Sequence, residues 1–165
     1  MLCRLGDGGY VAVGYTSSND DDVSGNYGKY DAWLTKFDSD GNILWQKCLG
    51  GTSNDYAYDL VATADGGYAF TGKVRSNDEI VSGNHGSYDI WVVKTDADGT
   101  LAWQKCIGGS GSDYGYSLLE NADGSLTVAG FTKSTDEDIT NNLGNGDAVL
   151  AKLGGRCCYA CRSCC

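Results

Sequence analysis

Apolar residues fall along this chain in short runs between polar, Gly-rich clusters, and no segment sustains the three-to-four-residue spacing of an amphipathic helix. Tyr68-Ala69-Phe70-Thr71-Gly72 and Asp89-Ile90-Trp91-Val92-Val93-Lys94 are rich in aromatic and β-branched residues and bounded by Gly, Asn, Asp and Ser, the pattern of strands between turns. Leu101-Ala102-Trp103-Gln104-Lys105-Cys106 reads as a further strand, and Tyr114-Gly115-Tyr116-Ser117-Leu118-Leu119 as another. Asp38-Ser39-Asp40-Gly41 and Asp96-Ala97-Asp98-Gly99 have the composition of hairpin turns, in which Gly supplies a positive φ.

These runs recur at a fixed offset. Asp7-Gly8-Gly9-Tyr10 returns as Asp65-Gly66-Gly67-Tyr68 and again as Asp123-Gly124-Ser125-Leu126, so 65 − 7 = 123 − 65 = 58. The same offset carries Trp45-Gln46-Lys47-Cys48 onto Trp103-Gln104-Lys105-Cys106, and Asp31 onto Asp89 and Asp147. Four-stranded units at such a period predict an all-β fold of antiparallel, β-propeller-type blades. In the first unit the strands fall near Leu2 to Leu5, Gly9 to Thr16, Tyr30 to Phe37 and Ile43 to Leu49, counted from the inside outward. The second unit runs from Tyr56 to Ile107, and the third has three strands between Tyr114 and Leu153. The expectation is eleven strands in three blades, 1–50, 51–108 and 109–153, the last lacking its outer strand, followed by a disordered Cys-rich tail, 154–165. Closed propellers use about four to eight blades. Three open blades would expose sheet edges and apolar faces, so self-association is expected, either as two chains closing one ring or within a longer repeat protein of which this is a fragment.

Composition narrows the function classes. Of 165 residues, 25 are Gly and none is Pro, which suits many tight turns. No run approaches the roughly 18 to 20 apolar residues of a spanning helix, and Met1-Leu2-Cys3-Arg4 shows no signal-peptide core. The net charge of −10 makes a phosphate backbone a poor partner, leaving cations, sugars and proteins.

The spacing Asp38-x-x-Gly41-x-x-x-Trp45, repeated as Asp96-x-x-Gly99-x-x-x-Trp103, resembles the tryptophan-docking motif of quinoprotein-type propellers, with Asp40 and Asp98 where that family has Thr. A more specific resemblance is to 58-residue propeller-like repeats of secreted and surface proteins of bacteria. It rests on Trp103-Gln104-Lys105, Gly108-Gly109-Ser110, Asp65-Gly66-Gly67-Tyr68, Ser76-Asn77-Asp78 and Val81-Ser82-Gly83-Asn84-His85-Gly86. This resemblance implies an extracellular or cell-surface setting and a role in binding or display, and it brings no catalytic residues.

Candidate chemistry lies first in the loop between the second and third strands. Asp20-x-Asp22-x-Ser24-Gly25 has the alternation of hard oxygens found in Ca²⁺ loops, and Asp78 and the pair Asp136 and Asp138 occupy corresponding places in the other units. The alternative is a solvated acidic turn. Asp31, Asp89 and Asp147 recur just before the third strand, a placement suited to accepting backbone N–H groups where the loop closes. Trp33, Trp91, Trp45 and Trp103 recur on strands and are expected to pack between blades. The loops Gly50 to Asp55 and Gly108 to Asp113 require only turn chemistry, and His85, the single histidine, has Tyr27 and Leu143 as counterparts and reads as a loop residue.

Cys48 and Cys106 fall at equivalent outer-strand positions, and Cys3 stands alone. Cys158-x-x-Cys161-x-x-Cys164 in the tail has a zinc-like spacing without a second anchored pair, which points away from zinc. The function expected from these features is a non-catalytic binding or display module with its site in the acidic loops. The alternatives are a self-assembling structural repeat and a fragment of a carbohydrate-active enzyme.

Overall fold

Short apolar runs that cannot bury two faces within one hairpin must stack their sheets, and the computed structural model, which describes residues 1–142 and 144–154, shows that stacking. The first sheet has the order β1 (Leu2–Arg4), β2 (Tyr10–Thr16), β3 (Asp31–Phe37), β4 (Ile43–Leu49). A second, in the same order, is built from β5 (Asp55–Ala62), β6 (Tyr68–Val74), β7 (Asp89–Thr95) and β8 (Leu101–Ile107). The third holds β9 (Asp113–Glu120), β10 (Leu126–Thr132) and β11 (Asp147–Leu153). Every pairing within the sheets is antiparallel. The fold is all-β, with three blade-like sheets that do not close into a ring. The Cys-rich tail from residue 155 onward, with its expected disorder and zinc-like spacing, lies outside the described residues.

The strands expected from Tyr56 and Tyr114 begin one residue earlier, and acidic residues take part in pairing at the start of strands in all three blades. Asp31, Asp89 and Asp147 are first residues of strands and do not merely precede them. Asp55 and Asp113 likewise open β5 and β9, where their N–H groups donate to the carbonyls of Tyr30 and Tyr88 of the preceding blade, each at 2.6 Å. The hairpin turns are as expected: Asp38 Oδ1 accepts from the N–H groups of Asp40 and Asn42, both at 2.9 Å, and Gly41 has φ +87°.

The middle sheet is covered on both faces, and its side chains divide accordingly. Along β7, Trp91 and Val93 enter the core shared with the first blade, while Ile90 and Val92 enter the core shared with the third. Such a strand reads as one continuous apolar run because neither face meets water. Equivalent positions at the ends of the stack behave differently. Leu34 and Val92 are 0% exposed beneath the following blade, whereas their counterpart Leu150 is 46% exposed on the outer face of the third.

The tryptophans follow the same logic. Trp45 lies against the second blade, 5.9 Å from the ring of Tyr68, and a Cβ on Gly99 would fall 2.8 Å from its indole, so that turn must be glycine for steric reasons as well as for its φ of +76°. Trp103, the equivalent residue, is 38% exposed. Trp45→Ala is therefore expected to cost about 3 kcal/mol and Trp103→Ala less than half of that, read as urea midpoints at unchanged slope.

Trp33 and Trp91 explain the recurring Gln. Each indole N–H donates to an amide oxygen on the adjacent outer strand, Gln46 Oε1 or Gln104 Oε1, both at 3.0 Å. The same amides donate onward to Ser24 Oγ at 2.7 Å and Ser82 Oγ at 3.0 Å, fastening the long loop to the outer strand.

Candidate functional site

One buried carboxylate organises each of the two blade junctions. Asp55 and Asp113 are 0% exposed and sit where three segments meet. Asp55 Oδ1 accepts from the N–H groups of Arg75 (3.0 Å) and Ser76 (3.1 Å), and Oδ2 from Gly51 N–H (2.8 Å) and Ser76 Oγ (2.6 Å). Asp113 repeats the arrangement with Gly109 N–H, Lys133 N–H and Ser134 Oγ, and adds Thr132 Oγ1. The Gly-rich loops are thus short because they wrap a carboxylate: a Cβ on Gly50 would lie 2.6 Å from Asp31 Oδ1 and 2.9 Å from Asp55 Oδ2.

Asp31 and Asp89 close the long loops in the way expected of backbone acceptors. Asp31 Oδ2 accepts from Tyr27 N–H at 2.8 Å, and Asp89 Oδ2 from His85 N–H at 3.1 Å, with His85 Nδ1 a further 2.8 Å contact. The other oxygen of each is buried without a hydrogen-bond partner. Burial pushes the Asp31 carboxyl up to about 6, with the charges of Asp55 and Asp78 adding to the effect. Asp89 is raised by burial too, against the lowering effect of His85.

The acids of the long loops are dispersed among the three blades. Asp20 and Asp22 are exposed at a turn closed by Val23 N–H onto Asp20 O (3.0 Å), and Ser24 Oγ is held by Gln46. Asp78 accepts from the Thr52 N–H at 2.9 Å and its hydroxyl, and Asp136 from Ser110 N–H at 2.8 Å, bonds that lower both carboxyls and tie each loop to the preceding blade's connection. Asp138 donates its N–H to Gly108 O at 3.1 Å, and its Oδ2 is buried without a partner. Among the described residues, no three His, Cys, Asp or Glu side chains are grouped to hold a metal ion. Cys3, Cys48 and Cys106 are unbridged, and burial pushes the thiols of Cys48 and Cys106 to about 11 and about 12, which keeps them protonated and unreactive at neutral pH.

A different set of residues does converge. Tyr15, Tyr30, Tyr56, Tyr58, Tyr116, Tyr114 and Phe131 form a continuous series of ring contacts across all three blades, with centroid separations from 4.7 to 6.4 Å. Tyr88 joins it through Tyr56 and Tyr114. Tyr15, Tyr30 and Tyr116 remain exposed at 52%, 38% and 55%, although fully apolar positions of the same blades are closed from water.

Backbone irregularity places these rings. Tyr58 is the extra residue of a bulge between the Ala57–Gly72 and Asp59–Thr71 pairs, and Tyr116 repeats this between Gly115–Gly130 and Ser117–Ala129. A bulge re-aims side chains and sharpens local twist. It also needs room, since a Cβ on Gly72 would lie 1.8 Å from Tyr56 O.

In the centre of the series stands a cation. Lys73 Nζ lies 4.8, 4.6 and 4.9 Å from the ring centroids of Tyr56, Tyr88 and Tyr114, and the Arg75 guanidinium lies 5.7 Å from Tyr88. Ring faces are electron-rich, so these contacts hold the ammonium in place without neutralising its charge. Burial and neighbouring phenols push Tyr58 up to about 12, so its hydroxyl stays neutral within the series.

The 58-residue offset contains this surface, although the acids and tryptophans dominate a reading by residue type. Tyr30 maps onto Tyr88, Tyr56 onto Tyr114, Tyr58 onto Tyr116, and Tyr15 through Lys73 to Phe131. Following the tyrosines at that offset would have exposed both the series and the substitution of Lys for a ring.

No protein-family model matches the chain. Regulatory protein FlaEY of Caulobacter vibrioides is 30% identical over 124 residues, which is 71% of this chain and 13% of that protein. The chain therefore spans about an eighth of the length of this relative.

Proposed function

We propose that this chain is a non-catalytic binding module and that the aromatic series, not the acidic loops, is its binding surface. The supporting observation is the unbroken run of rings across three blades, with three tyrosines left exposed. Tyrosine offers a large amphipathic contact with few rotatable bonds, which suits recognition of a sugar face or a protein loop. The loop acids fit a supporting role, since Asp78 and Asp136 are engaged in holding adjacent blades together. By the resemblance of its repeats, the module works outside the cell or at its surface.

Retention on immobilised cellulose, chitin and mixed bacterial cell-wall polysaccharide tests this reading, with serum albumin as the protein control. The expected result is retention on at least one polysaccharide, lost about tenfold or more in the triple variant Tyr15→Ala, Tyr30→Ala, Tyr116→Ala. Equal retention of the triple variant would move the surface elsewhere.

A second reading is favoured by the exposed outer face of the third blade, where Leu150 stands in the place of the buried Leu34 and Val92. In this reading the chain associates with itself through that face. Molar mass by light scattering under reducing conditions is then expected to show a discrete oligomer that Leu150→Glu returns to a monomer. A monomeric parent chain at all concentrations would remove it.

A further inference from the structure

Resting on the binding reading above, we propose that the aromatic surface takes a sugar bearing a single carboxylate, the ring lying on exposed tyrosine faces and the carboxylate against Lys73 and Arg75.

The position of Lys73 carries the inference. In the first and third blades the same strand position holds Tyr15 and Phe131, so only the middle blade sets an ammonium among the rings. Three ion pairs form among the described residues, His85–Asp89, Lys94–Asp65 and Lys152–Asp123, and neither Lys73 nor Arg75 belongs to any of them. In a chain of net charge −10 these two cations, Lys73 near the end of β6 and Arg75 just after it, stand outside those ion pairs beside a platform for flat ligands. A carboxylate meets that charge with charge-assisted hydrogen bonds, and a guanidinium can bind it through two N–H groups.

The limit to one charge comes from the surroundings. Asp78 and Asp136 belong to the loops that close this end of the blades, and the whole chain repels polyanions. A chain of sulfates or phosphates would extend into that negative field. An isolated uronic-acid unit would not.

The test compares methyl β-glucuronide with methyl β-glucoside at pH 7, two sugars that differ in a carboxylate against a hydroxymethyl, by titration of backbone amide resonances. The expected result is at least about tenfold tighter binding of the glucuronide, with shifts centred on Lys73 and the tyrosines. Lys73→Met, which keeps the stem between the rings, should bring the glucuronide down to the level of the glucoside, and the exposed Arg75→Gln should weaken it severalfold should Lys73→Met fail to fold. Equal binding of the two sugars would overturn the carboxylate inference while leaving the binding reading in place. Absence of any shift with either sugar would overturn the inference as well, and polysaccharide retention of the parent against the triple tyrosine variant then judges the binding reading separately. Tighter binding of heparin or glucose 1-phosphate than of the glucuronide would overturn the limit to one carboxylate.

Discussion

Asp55→Ala is expected to cost about 4 to 5 kcal/mol, enough to unfold a domain of ordinary stability. The carboxylate is fully buried and accepts four hydrogen bonds, one from Gly51 in the Gly-rich loop and three from the consecutive residues Arg75 and Ser76. Truncation strands those donors away from water, at about 1 to 3 kcal/mol for each group that cannot find another partner. It also leaves the short Gly50-Gly51 loop with nothing to wrap. Asp55→Asn should recover part of the loss, because one amide oxygen still accepts while the NH₂ opposes the remaining donors. Urea unfolding reads the difference, and a loss below about 1 kcal/mol for the alanine variant would show that the junction is not held as described. Asp113→Ala should act in the same way at the second junction, with the third blade released first.

Asp31→Asn is expected to do the opposite, stabilising the protein at neutral pH by about 2 to 3 kcal/mol and by almost nothing at pH 4. One oxygen of Asp31 has a partner and the other has none, in a buried position facing the charge of Asp55. Its carboxyl is raised to about 6 in the folded chain from an ordinary value near 3.8. Between those values the folded protein holds a proton that the unfolded chain has released, so unfolding releases a proton and stability falls as pH rises. At about 1.4 kcal/mol per pKa unit the accumulated loss above pH 6 is about 3 kcal/mol. Asparagine keeps the acceptor for Tyr27 N–H and turns its NH₂ toward the Asp55 carboxylate, removing both the orphan oxygen and the repulsion. Asp89, also raised by burial, should add to this trend in a double variant.

Opposing contributions come from exposed acids whose carboxyls are lowered by hydrogen bonds, such as Asp38 and Asp78. Their stabilisation is present above about pH 4 and lost below it. Stability should therefore peak on the acid side of neutrality. Thermal unfolding of the parent and Asp31→Asn between pH 4 and pH 7.5 checks this, and parallel curves for the two proteins would contradict it.

The strands and the hairpin turns were legible in the sequence because both follow from one exact offset. Position 34 predicts the environment of position 92, and the exposure of Leu150 follows from the lack of a blade after the third among the described residues. The binding surface was harder to see. Tyr15 and Tyr116 are 101 residues apart, and what joins them is the bulge that re-aims Tyr58 and Tyr116 together with the glycines that leave room for it. Residue type misled as well. Acids with cation-like spacing in Asp20-x-Asp22-x-Ser24 draw attention to the loop, yet Ser24 serves Gln46, and the matching Asp78 serves Thr52. The junction carboxylates were hidden in turn-like segments, since nothing local distinguishes a Gly-Gly loop that wraps a buried Asp from one that only reverses the chain.

The most direct measurement of where this protein binds is a backbone amide map recorded with and without a soluble cell-wall polysaccharide digest. Perturbations confined to the tyrosine series and to Lys73 and Arg75, with the loops of Asp20, Asp78 and Asp136 unmoved, are the expected result. Perturbations centred on those acidic loops, with the tyrosines unmoved, would contradict it.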